Sequence, residues 1–155
     1  MKTIPLTRGK EALVDDEDYE FLMQWKWHYR KDARTGYASR WVRSQRKQYV
    51  VWMHHTVCQR AGITLDGKQC DHRDQNGLNN RRSNLRPATQ IENNRNQRRR
   101  QDNTSGVKGV DWYARSQKWR VRVAGECIGY FQLLEHAHQA RDQAAKKVFG
   151  TFAPE

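Results

Sequence analysis

Residues 70–85 read CDHRDQNGLNNRRSNL, a run that sets Asp71 beside His72 and then crowds asparagines and arginines into a span with almost nothing apolar. Such a run either stays a solvated loop or turns its side chains to a task. Asp71 is an oxygen donor suited to a hard cation, and His72 is a base usable near neutral pH. Neighbours on a strand point to opposite faces. Both residues therefore serve one site only at a strand end, or where another element wraps around them.

The following residues supply that element. Residues 85–86 read as a second short strand, which makes residues 73–84 the loop of a hairpin. Thr89 followed three residues later by Glu92 is a capping box, and it predicts a helix starting at Gln90 with Asn93 in its first turns. A hairpin followed by a helix draws Asp71, His72, Asn84 and Asn93 toward one small volume. Two oxygen ligands, with open positions left for water and phosphate, suit magnesium or manganese better than zinc.

The pattern Asp-His, eleven residues, Asn, eight residues, Asn resembles the HNH nuclease motif in the H-N-N variant of phage homing endonucleases. The upstream "MHH" at 53–55 is similar to the Met-His-Arg that often precedes that motif, with His55 where arginine is usual. The resemblance implies a ββα-metal fold with Asp71 and Asn93 as ligands of one divalent ion, Mg2+ or Mn2+. It implies His72 as general base, and Asn84 as the residue that fixes the loop and orients His72. It further implies hydrolysis of a phosphodiester to 5′-phosphate and 3′-hydroxyl ends. Arg73, Arg81, Arg82 and Arg86 would hold the DNA backbone. His54 is a further neighbour of the site, either touching phosphate or packed as a structural histidine.

Downstream, "GVKGVDWYA", "KWRVRVA" and "ECIGYF" read as three strands separated by turns. "LLEHAHQARDQAAKKVFG" reads as an amphipathic helix with Leu134, Ala137, Ala144 or Ala145, and Val148 along one stripe, broken by Arg141. Three strands with a helix on one face make a minimal two-layer domain, with Trp119 and Phe131 in its core. These residues resemble the ethylene-response-factor (APETALA-type) DNA-binding domain. That likeness implies a sheet lying in the major groove, with Lys108, Trp112, Lys118, Arg120 and Arg122 as DNA contacts. Asp111 stands where the plant domains commonly carry arginine, so their base preference does not carry over. The two likenesses together cover residues 53–153, about two thirds of the chain.

The N-terminal part is aromatic and mixed in charge. It predicts a strand ending at Val14, a helix from Asp16, an antiparallel pair around "DARTG", and a strand running into a helix stopped by Gly62. Trp27 and Trp41 read as core. The basic run Arg95, Arg98, Arg99 and Arg100 could follow DNA from one module to the next, or be a solvated helix end.

The chain of 155 residues carries a net charge of +12, which points to a polyanion. Its six Trp, six Tyr and four Phe supply a core. Three widely spaced cysteines without a CxxC pair favour neither a disulfide framework nor a cysteine zinc site. No stretch approaches the ~20 apolar residues of a membrane span. The expectation is an α+β protein in three parts: a β-rich segment at 1–62, an HNH core with its basic helix at 63–101, and a sheet-plus-helix domain at 105–153. It would act on double-stranded DNA as a monomer or a DNA-bound dimer, in the cytoplasm, and in that of the host if it comes from a phage. The alternative is a sequence-specific DNA-binding regulator that does not cut.

Overall fold

The computed structural model describes residues 1–32, 35–44, 47–96 and 103–150. The side chain of Arg95, and Arg98, Arg99 and Arg100 entirely, lie outside the described residues. Backbone contacts divide the chain into two compact units, Met1–Asn93 and Asn94–Glu155. The architecture is mixed α+β, with small antiparallel sheets and four α-helices among the described residues.

In the first unit, β1 (Lys2–Pro5) pairs with β2 (Glu11–Val14) in a hairpin that puts Ile4, Ala12 and Val14 inside. The helix α1 (Asp16–Leu22) opens on Asp16, Glu17 and Asp18, acids that suit the positive end of its dipole. The Trp27 indole N–H closes its other end by donating to the Leu22 carbonyl at 2.8 Å. A three-stranded sheet follows in the order β3 (His28–Lys31), β4 (Gly36–Ser44), β5 (Lys47–Trp52). β5 runs straight into α2 (Met53–Arg60), and Gly62 stands just past it at φ +66°, as a helix stop requires. The core joins Ile4, Leu22, Trp27, Met53, Val57 and Leu85, so the N-terminal strands and the hairpin region share one interior. Trp27 is in it, but Trp41 is 57% exposed on β4. Register, not aromatic character, decides which tryptophan is buried.

Within this frame β6 (Gln69–His72) pairs with β7 (Leu85–Ala88), setting Asp71 opposite Arg86 and His72 opposite Leu85. The helix α3 (Gln90–Asn96) then begins at the expected cap: Glu92 accepts from the Thr89 N–H at 2.8 Å, and the Glu92 N–H donates to the Thr89 hydroxyl at 3.2 Å.

In the second unit β8 (Val110–Tyr113), β9 (Lys118–Val123) and β10 (Glu126–Phe131) form a sheet with β9 in the centre, covered by α4 (Leu134–Phe149). Val110, Val121, Val123 and Ala137 are its interior, with Trp119, Phe131 and Phe149 packed around them. The stripe on α4 ends on Phe149, while Val148 is half exposed. Arg141 breaks the stripe without leaving a buried charge unsatisfied, because it donates to the Lys108 carbonyl at 2.9 Å and pairs with Asp142. Gly109, at φ +84°, lies so close to the Arg122 carbonyl that a Cβ would come within 2.5 Å of it. Among the described residues no helix is long and apolar enough to cross a membrane.

Candidate active site around His72

The alternation of β6 sends its side chains to two helices. Cys70 and His72 face α2: the Cys58 and Cys70 sulfurs are 3.0 Å apart, and the His54 and His72 rings meet edge-on at 5.1 Å. The hydrogen bond between the thiols lowers the Cys58 pKa and, with burial, raises that of Cys70. Gln69, which shares its parity with Asp71, instead lies against α3. It donates to the Gln90 side-chain oxygen at 2.7 Å and accepts from the Asn93 amide at 2.5 Å. Asn93 is thus held over the strand two residues from Asp71.

The loop between β6 and β7 is ordered by its own amides, with Asp74 at the centre. Its carboxylate accepts from the Asn76 backbone N–H at 2.9 Å, from the Asn79 amide at 2.6 Å and from the Asn84 amide at 2.9 Å. Burial alone would raise the Asp74 pKa, but these bonds outweigh it and hold the carboxyl below its ordinary value. Asn84 also donates to the Asn79 carbonyl at 2.7 Å and accepts from the Asp74 N–H at 3.1 Å. The loop is pinned outside as well: Leu13 of β2 exchanges backbone hydrogen bonds with Leu78 and Asn80, each 2.8 Å. Gly77 lies against Tyr37, where any Cβ would collide with the ring at 2.6 Å.

These anchors deliver Asn80, fully buried, to His72. Its side-chain oxygen is 3.3 Å from His72 Nε2, while its amide nitrogen donates to the Leu78 carbonyl at 3.3 Å. With the nitrogen committed, the oxygen must face the ring. That arrangement favours the tautomer with the proton on Nε2 and the lone pair on Nδ1. Burial pushes the His72 pKa below the ordinary histidine value, against the opposing pull of Asn80, Asp74 and Asp71. His54 is lowered further, by burial and by the neighbouring His72 and His55. Both rings are neutral at physiological pH. His54 is only 8% exposed, yet its Nδ1 has no hydrogen-bond partner among the described residues. Such a buried orphan costs about 1–3 kcal/mol.

As a metal centre the donor set has the right chemistry, a carboxylate on Asp71 and an amide oxygen on Asn93, both hard. The competing cation is Arg86, whose Nε pairs with the Asp71 carboxylate at 2.9 Å in a buried ion pair. Elsewhere Asp15, Glu17 and Asp18 cluster within metal-binding reach of one another. Asp18 is already bound by Arg60 at 2.9 Å and by Arg82 at 2.7 Å, so that cluster is neutralised by the protein itself.

The arginines expected to hold DNA therefore divide. Arg82 and Arg86 turn inward to Asp18 and Asp71, and Arg81 bonds the Asn79 side chain at 2.9 Å. Arg73 is exposed. In the second unit Asp111, Tyr113, Lys118, Arg120, Arg122 and Tyr130 share the sheet face away from α4, by register. Asp111 bridges Arg120 at 2.6 Å and Arg122 at 3.0 Å. Trp112 belongs to the opposite face, edge-on to Trp119 at 5.1 Å, and Lys108 sits in the turn before β8.

Sequence reasoning passed over Asn80, Asp74 and Tyr37. The two-residue spacing of Asp74 and Asn76 is an Asx-turn signal that marks Asp74 as structural. Nothing local distinguishes Asn80 from the asparagines around it. Among known proteins the chain is similar to "Protein 3.8" of Escherichia phage T7, 42% identical over 60 residues. That match covers 39% of this chain, and the chain spans half the length of that relative. No family model and no solved structure matches this chain.

Proposed function

We propose that the chain is a metal-dependent DNA endonuclease of the HNH type, with β6, β7 and α3 forming a ββα-metal site. The reading rests on His72, a neutral, buried imidazole at a strand end with its tautomer set by Asn80. In this reading Nδ1 of His72 takes a proton from water as that water attacks the phosphodiester, a role worth about 10²–10⁴ in rate. Asn84 keeps the loop rigid, so the ring does not drift from its line of attack. Asp71 and Asn93 would hold a magnesium or manganese ion, which supplies neutralisation of the charge that builds on the phosphate and leaving oxygen. The sheet face of Lys118, Arg120 and Arg122 binds double-stranded DNA and directs the cut. The likeness to a T7 protein supports a phage origin, with the host cytoplasm as the place of action.

The Arg86–Asp71 ion pair favours a second reading, a DNA-binding protein that does not cut, because it already fills the place of a cation. Incubating supercoiled plasmid with the protein in magnesium, in manganese and in chelator separates the two. Nicked or linear product that needs metal and vanishes in His72→Ala supports the nuclease. Tight binding with no product in any condition supports the regulator.

A further inference from the structure

Beside His54 lies an open pocket of about 570 Å³, within the size range of sites for small ligands. The proposed chemistry at His72 makes no use of it. Its walls include Tyr37 and Trp52, whose rings meet edge-on at 5.9 Å, and the ring of His54, which stacks on Trp52 at 6.0 Å. Arg30, Lys31 and Lys68 also line it, with Asp32 as the single carboxylate. None of the three cations is ion-paired among the described residues, and Arg30 lies 5.3 Å from the Trp52 ring.

Three observations converge on one ligand chemistry. Unpaired cations around a cleft recognise phosphate. Planar aromatic walls stack a base without regard to its identity. Buried polar groups are almost always hydrogen-bonded, so the orphaned nitrogen of His54 calls for a partner that the described residues do not provide. We propose that this pocket receives a single deoxynucleotide, its phosphate among Arg30, Lys31 and Lys68, its base against Trp52 and Tyr37, and His54 hydrogen-bonded to it. One imidazole separates the pocket from His72, so the nucleotide seated here is a neighbour of the one that is cut. The inference deepens the nuclease reading by naming a subsite of the same centre, and it rests on that reading only for what the subsite serves.

The test is binding without cutting. The protein in chelator is titrated with thymidine 5′-monophosphate and, separately, with a short oligothymidylate, while NMR follows the Trp52 indole and the His54 ring. Shifts of both signals with both probes, weakened roughly tenfold by Lys68→Glu, establish a pocket that also takes the free nucleotide. Shifts with the oligonucleotide alone establish a pocket that reads a nucleotide within a strand. No shift at Trp52 and His54 with either probe overturns the proposal, as does unchanged affinity in both Lys68→Glu and His54→Phe. Because Lys68 is an exposed side chain, Lys68→Glu keeps the test open if His54→Phe does not fold. Pocket binding in a protein that never cuts DNA would sink the nuclease reading and leave the pocket standing, whereas metal-dependent cutting with an empty pocket does the reverse.

Discussion

In the first unit two buried carboxylates are held by arginines, Asp18 by two and Asp71 by a third, while Asp74 is fixed by three amides. In the second unit Asp111, Arg120 and Arg122 spread across an open sheet face. Arginine has the same formal charge in both places, but it does different work. Buried pairs hold a geometry, because leaving either partner alone inside costs several kcal/mol. Pairs at an open face contribute less to stability than buried ones and leave their arginines within reach of a polyanion. Under the proposed function, the contrast gives positioning to these buried pairs of the first unit and DNA docking to the sheet face of the second.

The largest expected effect is on the buried side. Asp18→Ala removes the shared partner of Arg60 and Arg82 and should destabilise the first unit by about 3 kcal/mol. Hydrogen exchange resolved by residue should show the loss in residues 1–93 and leave 103–150 unchanged. Asn84→Ala takes away one of the three amides on Asp74 and the bond to the Asn79 carbonyl, and should cost about 2 kcal/mol. Cleavage in that variant should fall further than its stability explains, since His72 loses its fixed loop. Equal protection in both units after either change would erase the contrast.

Acid sharpens it. Asp18 has a folded pKa below its unfolded value of about 3.9, since hydrogen bonds from Arg82 and Arg60 outweigh the effect of burial. Its contribution is present above that value and is lost as pH falls through the folded one. His54 is likewise lowered, by burial first, so its contribution is present above about pH 6.5 and is lost below it. The first unit should therefore begin to lose stability on acidification near pH 6.5 and lose more below about pH 4. Asp111 of the second unit, lowered by Arg120 and Arg122 against burial, contributes above its unfolded value of about 3.9 and loses that contribution only in acid, so the second unit should be flat near pH 6.5. Thermal melts against pH, read separately at Trp27 and Trp119, measure the two courses.

The smallest structural effect belongs to the sheet. Arg120→Ala and Arg122→Ala should leave the first unit's melting unchanged. Each should reduce the salt dependence of DNA binding by about one unit of slope. Unchanged affinity and slope would remove this face from the docking surface.

Much of the frame was legible because it is written in local signals. The cap from Thr89 to Glu92 starts α3 where it should, and the alternation of "KWRVRV" is β9. The hairpin of β6 and β7 and the short helix after Asp15 read the same way. What was illegible depends on distant partners. Arg82 looks like a phosphate contact until its partner Asp18, 64 residues away, is known. Trp41 looks like core until the register of β4 turns it outward. The strand β1 carries a proline and buries one residue of four, too little pattern to notice. Within the candidate site, Asp71, His72, Asn84 and Asn93 drew notice through their likeness to the HNH motif, whereas Asn80 meets His72 only because β2 pins its loop.

The account stands most directly on His72. Wild-type protein and His72→Ala, both shown folded by their melts, are incubated with supercoiled DNA and magnesium or manganese. The account predicts metal-dependent nicked or linear product from the wild type, and a loss of at least about a hundredfold in the variant. Metal-dependent cleavage undiminished in His72→Ala would contradict it.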